Sequence, residues 1–350
     1  MLPRPLEQRQ LGRWKRRRVL ITGFSGFVGS SLARRLVDLG ADVTGLVSDL
    51  NKNRDDQLWN RCNIVVGDIC DYDVLRHAMA YYEVDAIFHF AAYAIVRVSA
   101  RDPLSTYRVN VMGTANLLEA TRHVGPVRSI VVASSDKAYG DHDLLPYTEK
   151  HALQPRNTYD TSKACMDMIA RAYAANYDMP VVVTRCSNIY GPGDMNLSRI
   201  IPNTIKRVLE GAAPFLYSDV SKMEREFIFI DDVIDAYLLL GLDTDQLRGD
   251  AFNVGGTGTV KVVDAVKKIC ELMAKPELEP IVVHREAEFR EIKKQYIDGS
   301  KLRLTLGWEP TTTLEDGLKS TIRWYSAFFA GLEHGGGNLP VEMKKRRLRF

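Results

Sequence analysis

"RVLITGFSGFVG", residues 18–29, decides the fold. Arg18–Thr22 is a short β-rich run that leads into Gly23, Gly26 and Gly29, spaced as GxxGxxG. A helical pattern follows from about Val28 to Leu39 and stops at Gly40. Glycines let a backbone turn tightly and come close to a pyrophosphate, and the helix N-terminus behind them offers N–H donors and a favourable dipole. The spacing alone is a weak signal. Here it follows a strand and opens a helix, which is the setting a dinucleotide site needs. The turn Gly23, Phe24, Ser25, Gly26, Phe27, Val28 and Gly29 is the expected cofactor-binding loop.

Outward from that stretch, strands alternate with helices. "DVTGLV", "NIVVGD", "AIFHFAA", "SIVVASS" and "PVVVTRCS" read as further strands. Helices are expected at Asp71–Tyr82 (capped by Asp71 or Asp73), Leu104–His123 and Thr158–Tyr177. Alternation means βαβ units, and strands apolar throughout mean a parallel sheet covered on both faces. The expected class is α/β: a Rossmann-type, doubly wound parallel sheet with a smaller mixed C-terminal substrate lobe. The expected boundaries are a basic tail over 1–17, a dinucleotide domain over 18–190 with 225–254 returning to it, a substrate lobe from 191–224 and 255–335, and a basic tail over 336–350. In the second half, "SRIIPNTIKRVLEG" reads as a turn continuing into a helix, "REFIFIDDVIDAYLLLG" as a strand then a helix, Val262–Met273 as a helix and Ile281–His284 as a strand.

Composition sets limits. The 350 residues are 45% hydrophobic and 26% charged, which suits a soluble globular protein, and the net charge of +3 gives no reason to expect nucleic acid. The basic runs "RWKRRR" and "KKRRLRF" at the two ends read as solvated tails, an anionic partner being the other reading. No run of about 18 apolar residues exists, so no membrane span is expected. The five cysteines form no CxxC pair, which points to reduced thiols, a cytoplasmic setting and no metal.

Tyr159-Asp160-Thr161-Ser162-Lys163 is a YxxxK, which places tyrosine and lysine on one helical face. A nearby ammonium favours the phenolate, so such a tyrosine is expected to take a proton from an alcohol as hydride leaves the same carbon. "SSDKAYG", residues 134–140, sits where the fifth strand ends and sets Asp136 beside Lys137. On the second strand, Val47 stands where an acid for the ribose is expected. Asp49 follows it, and Lys52 and Arg54 are in reach of a 2′-phosphate, so NAD and NADP both stay open. His89, in an apolar strand, reads as a satisfied core residue.

GFSGFVG, "FHFAA", "VNVMGTANLLEA", the serine at the strand end, Tyr159–Lys163, "RCSNIYGPGD" and "LGWEP" together resemble the extended short-chain dehydrogenase/reductase family acting on nucleotide sugars. The likeness covers about residues 18–330. The Asp136-Lys137 pair with "RIIP" and "LGWEP" looks most like CDP-glucose 4,6-dehydratase. The resemblance implies that Ser135 bonds the sugar hydroxyl being oxidised, that Tyr159 is the base, and that Lys163 holds the nicotinamide ribose. It implies cofactor contacts at Ser48, Asp68, Ile69, Ala91, Ala92 and Asn110. It implies substrate contacts at Tyr93, Ser135, Asn188, Arg199, Arg225 and Arg290, with the Gly191–Asp194 loop lining the sugar site. It also implies a homodimer or dimer of dimers built on the helices Leu104–His123 and Thr158–Tyr177.

The acid–base pair has a chemical reading. Oxidation at C4 makes the C5 proton acidic; Lys137 is the candidate base for it, and Asp136 the acid that helps the C6 hydroxyl leave as water. The product is a 4-keto-6-deoxy sugar nucleotide. A 4-epimerase of the same family needs no such pair. A uronic acid decarboxylase, with Arg185 or another arginine on the carboxylate, is a further alternative. A non-catalytic, cofactor-sensing protein of this fold ranks last, because both Tyr159 and Lys163 are present.

Overall fold

The computed structural model describes residues 11–51, 54–218, 220–242, 244–284 and 292–334. The expected tail over 336–350, Lys52 and Arg290 lie outside the described residues. Six strands follow the apolar runs: β1 (Arg18–Thr22), β2 (Asp42–Val47), β3 (Asn63–Val66), β4 (Ala86–His89), β5 (Ser129–Ala133) and β6 (Val181–Cys186). The shorter strands β7 (Asn188–Tyr190), β8 (Phe215–Tyr217), β9 (Glu224–Arg225) and β10 (Phe227–Phe229) come next. Last come β11 (Ala251–Val254), β12 (Val260–Lys261), β13 (Ile281–Val283) and β14 (Lys294–Gln295). The central sheet runs β11-β6-β5-β4-β1-β2-β3, parallel throughout. Its order reverses at β1, which pairs with both β2 and β4, and ligands bind in the crevice that opens at such a point. Strand β11, "AFNV", was not read from the sequence as a strand. It is four residues long and wholly buried.

The glycine turn is required by space. Gly23 has φ of +70°, and a Cβ there would meet the backbone of Ala91 at 2.7 Å. A Cβ on Gly29 would stand 2.3 Å from the Gly23 carbonyl oxygen. The turn therefore seats directly on the end of β4 and aims the helix Phe27–Asp38 at the crevice. The side chain of Phe24 goes the other way: it is fully buried, lies against Trp59, and fills the space that Gly45 leaves in β2.

Thr158–Tyr177 is one helix, as its pattern predicts, capped by Asn157. Asp71, not Asp73, caps the helix Tyr72–Tyr81. The expected helix Leu104–His123 is interrupted. It runs as Pro103–Tyr107, a π-helical turn Arg108–Met112, and Gly113–Val124. The turn coincides with close packing, since a Cβ on Gly113 would come within 2.8 Å of Ile69. His89 is a core residue between Thr22 (2.7 Å) and Thr114 (2.9 Å), and burial, aided by the charge of Lys163, pushes it down to about 3.

The N-terminal tail ends earlier than position 17. Gly12–Trp14 forms a helical turn, Trp14 is fully buried against Phe88, and Arg13 bonds the Leu242 carbonyl at 3.2 Å. The surrounding charges hid this anchor in the sequence. Gly241 makes room for it: a Cβ there would come within 3.0 Å of the Trp14 ring. The indole nitrogen has no hydrogen-bond partner among the described residues, so Trp14 acts by packing alone. Trp14→Ala is expected to cost about 3–5 kcal/mol of stability. A thermal melt unchanged by that substitution would return the segment to a loose tail.

Candidate active site

The carboxyl ends of β5 and β6 and the start of the helix Thr158–Tyr177 meet around a cavity of about 470 Å³, within the roughly 300–1,000 Å³ usual for small-molecule sites. Ser134, Ser135, Asp136, Lys137, Tyr159, Asn188, Asp194, Arg199 and Arg225 all line it. Val28, from the glycine turn, lines it as well, so the turn and the cavity adjoin.

Two bonds tie the end of β5 to the helix. Ser134 Oγ donates to the Lys163 carbonyl at 3.0 Å, and Lys163 Nζ donates to the Ala133 carbonyl at 2.8 Å. Ser135 caps the turn Asp136–Tyr139: its Oγ accepts from the Lys137 N–H at 3.2 Å and donates to Asp136 Oδ1 at 3.0 Å. Asp136 is 2% exposed and its Oδ2 has no hydrogen-bond partner among the described residues. Burial holds this carboxyl above its ordinary range, against the opposing charges of Lys137 and Arg225. Lys137 Nζ lies 3.4 Å from Gln295 Oε1.

Burial also pushes the Lys163 ammonium down to about 8. Tyr159 departs from the sequence-based expectation. Burial, then the charge of Asp160, holds its phenol above the ordinary value, and the relief comes from the Ser135 hydroxyl and the Arg199 charge. YxxxK spacing places Lys163 on the same face, but its Nζ donates to the Ala133 carbonyl, and its charge is not among the leading influences on the Tyr159 phenol.

Arg199 stands before the helix Ile200–Leu209 and pairs with Asp194 at 2.9 Å. Arg225 donates to the carbonyls of Ile292 (2.6 Å), Glu224 (2.9 Å) and Lys293 (3.2 Å) while lining the cavity. Asn188 Nδ2 bonds the Glu226 carbonyl at 2.9 Å. Arg185 does not line the cavity. It is buried in a bidentate pair with Asp167, which leaves no arginine at that position to hold a uronate.

Several expected cofactor contacts are turned elsewhere. Phe24 points into the core and offers only its backbone. Asn110 is fully buried: its Oδ1 accepts from the Tyr93 N–H at 2.7 Å, and its Nδ2 donates to Ser162 Oγ at 2.8 Å. It fixes the loop after β4 rather than presenting an amide to a ligand. Ile69 packs in the core. Asp68 accepts from the Cys70 N–H at 2.9 Å and lies 3.5 Å from Arg108. Ser48 is exposed at the end of β2, and Ala91 and Ala92 lie at the end of β4 beside the glycine turn. Tyr93 is exposed and does not line the cavity. Arg54 pairs with Asp56 at 2.5 Å and lies over Trp59.

Sequence reasoning missed the far end of the cavity, formed by Arg97, Asn196, Asn203, Phe215, Tyr217, Val220 and Met223. The signal was the period-two pair Phe215 and Tyr217 in "PFLYSD", with Arg97 lying 5.9 Å over the Tyr217 ring.

The turn fits a dinucleotide. A cradle that any Cβ would fill faces the N-terminus of the helix Phe27–Asp38, whose Gly26 cap spends no side chain on the first N–H groups. Comparison with known proteins agrees with this reading. A trifunctional UDP-glucose 4,6-dehydratase/UDP-4-keto-6-deoxy-D-glucose 3,5-epimerase/UDP-4-keto-L-rhamnose-reductase of Arabidopsis thaliana is 32% identical over 89% of the chain. The chain spans about half of that relative's length, 48%. The dTDP-glucose 4,6-dehydratase 1 of Escherichia coli K12 is 30% identical over 88% of the chain and 92% of its own length. A crystal structure of a dTDP-glucose 4,6-dehydratase from Streptomyces venezuelae with NAD bound superposes with a TM-score of 0.81 at 30% identity, over 89% of this chain and 97% of that one. The pattern of the GDP-mannose 4,6 dehydratase family matches residues 20–321, and the chain belongs to that family.

Proposed function

We propose that the chain is an NAD-dependent nucleotide-sugar 4,6-dehydratase, a lyase that releases water from a nucleoside-diphosphate hexose. The observation that carries this reading is Asp136: a buried carboxyl with a raised pKa and an unpartnered oxygen, in the same cavity as Ser135 and Tyr159 and next in sequence to Lys137. A carboxyl whose pKa burial raises keeps its proton to higher pH than a free one and is suited to donate to a departing hydroxyl.

In this reading, Gly23–Gly29 hold the pyrophosphate, with Ser48, Ala91 and Ala92 beside it, and Lys163 holds the nicotinamide ribose. NAD supplies a hydride acceptor for C4 and later the hydride for C6. Ser135 donates to the C4 oxygen and positions it. Tyr159 takes the C4 hydroxyl proton, and its raised pKa must fall as substrate and cofactor enter. Lys137 takes the C5 proton, which the C4 ketone acidifies. Asp136 gives its proton to the C6 hydroxyl, which leaves as water, and Lys137 returns its proton to C5 as C6 is reduced. Arg199 and Arg225 hold the diphosphate, charge-assisted donors being the strong ones for phosphate. Asn188 and Asp194 border the sugar.

Among the described residues, no helix is long and apolar enough to cross a membrane. We place the enzyme in the cytoplasm as a homodimer. Leu104, Met112, Met168 and Tyr177 are exposed on the helical segments that pack around Thr158–Tyr177, and apolar patches of this kind mark interfaces. Met112→Lys combined with Met168→Glu should shift the sedimentation coefficient to that of a monomer; an unchanged coefficient places the interface elsewhere.

Mass spectrometry of the protein incubated with NAD and, separately, with CDP-glucose, UDP-glucose, dTDP-glucose and GDP-mannose tests the function. The expected result is loss of one water from one of them, and Lys137→Ala should abolish that loss while NAD still binds. An unchanged mass with a shifted chromatographic peak would mean 4-epimerisation.

The pH dependence has a definite sign. Asp136 acts in its protonated form, and burial raises its pKa. Turnover should therefore fall as pH rises through that raised pKa, and Asp136→Asn should remove this alkaline limb along with most of the activity. An alkaline limb that survives in Asp136→Asn belongs to another group.

A further inference from the structure

A second set of buried groups, Tyr139, Asp167, Arg185 and Asn253, lies outside the cavity lining and takes no part in the chemistry above. Tyr159, Lys163 and Asp167 are spaced by four and form one stripe on the helix Thr158–Tyr177. Asp167 faces β6, where Arg185 grips it with two bonds, Nε to Oδ2 at 2.7 Å and Nη2 to Oδ1 at 2.9 Å. The pair is almost wholly buried. The third arm of the guanidinium, Nη1, donates to the Tyr139 hydroxyl at 2.9 Å, and the guanidinium carbon lies 4.8 Å over the Tyr139 ring. The Tyr139 hydroxyl then donates to Asn253 Oδ1 on β11 at 2.7 Å. Tyr139 is the last residue of the turn that begins at Asp136.

We infer that Tyr139 is a positioning residue that locks the elimination pair, Asp136 and Lys137, in register with the oxidation pair, Tyr159 and Lys163. The inference rests on the dehydratase reading. A rigid helix carries one pair, a short turn carries the other, and the Asp167–Arg185–Tyr139–Asn253 chain fixes the far end of that turn to the helix and to the sheet. Replacing a buried ion pair by apolar side chains is often neutral or stabilising, so stability alone does not account for this one. Its geometry does. The planar guanidinium has five donors in a fixed fork, and it presents two directions to Asp167 and a third to Tyr139, which a lysine does not. The Tyr139 hydroxyl is held from both sides, once as acceptor and once as donor, so the turn has one orientation. Water loss needs acid and base on adjacent carbons of a ketone formed by the other pair, and a displacement of about 1 Å can cost about a hundredfold in rate.

The test uses the holoenzyme. Tyr139→Phe removes the hydroxyl and keeps the ring. NAD affinity by calorimetry and KM should stay unchanged, while kcat falls by about tenfold or more. Reduced nicotinamide should build up during turnover, seen by its near-ultraviolet absorbance, because oxidation at C4 continues while water loss lags. Asn253→Ser leaves the Arg185–Tyr139 bond and removes the other anchor, along with the Nδ2 bonds to the Tyr147 (2.9 Å) and Asp298 (3.1 Å) carbonyls, and should give the same build-up to a smaller extent. Unchanged kcat overturns the inference. So does a fall in kcat with no build-up in either variant, since both steps would then be slowed alike and the network would only hold the fold. If Tyr139→Phe is recovered unfolded, Asn253→Ser decides. A wild-type enzyme that releases no water from any nucleotide sugar overturns the dehydratase reading and the coupling with it; an active wild type with silent variants overturns the coupling alone.

Discussion

Lys163 Nζ bonds the Ala133 carbonyl at 2.8 Å, and Ser134 Oγ bonds the Lys163 carbonyl at 3.0 Å. These two contacts join the last residues of β5 to the first turns of the helix Thr158–Tyr177, and the site is built on that join. The chain leaves β5 through Ser135 and the Asp136–Tyr139 turn, and the helix enters through Tyr159. Were the strand and helix free to slide, the serine, the tyrosine and the acid would have no common reference. A parallel sheet makes the join available: all its strands end on one side, so polar groups gathered there are shared among elements far apart in sequence.

Dryness comes with the join. The carboxyl end of the sheet lies deep enough that Asp136, Tyr159 and Lys163 are each shifted toward the neutral form, by desolvation first. Groups shifted in this way in a dry cavity respond strongly to small changes in their surroundings. Elsewhere the same burial is answered by pairing. Arg185 keeps its charge because Asp167 stands against it, whereas the N–H groups of Gly256, Thr257 and Ile297 around Glu226 offset its burial only in part. Burial thus shifts groups that lack an opposite charge in contact and leaves the Arg185–Asp167 pair rigid.

The sequence made the scaffold legible because apolar runs and glycine spacing answer to backbone geometry. Thr158–Tyr177 and the first six strands follow those rules. Direction within a motif is a different matter. Phe24 sits in the glycine loop and Asn110 in "VNVMGTANLLEA", yet one side chain fills a hole left by Gly45 and the other clamps the Tyr93 backbone. Their positions were readable and their orientations were not, since orientation depends on neighbours far along the chain. Trp14 was hidden for the same reason: its charged neighbours are local, while Phe88 and Gly241, which receive it, are remote. The aromatic end of the cavity escaped because Phe215 and Tyr217 lie in a strand of three residues, too short for alternation to stand out.

Asp136 bears most directly on which reaction the cavity serves. A buried carboxyl oxygen left without a partner costs about 1–3 kcal/mol. An exchange of configuration at C4 needs a base, a hydrogen bond to the C4 oxygen and room for the ketone to turn, and none of these calls for an acid on the neighbouring turn. Water loss from C6 does call for one, and it calls for the acid to be protonated before substrate arrives. The turn shifts its carboxyl in that direction: Ser135 takes up one oxygen of the carboxyl, and the other is left without a hydrogen-bond partner among the described residues, in a residue that lines the cavity. Lys137 and Arg225 both pull toward the carboxylate, and burial outweighs them. A site selected for stability alone would have paired that oxygen or replaced it. Its retention beside a serine, a tyrosine and a lysine makes sense when the fold gives up that stability for the acid of the proposed elimination.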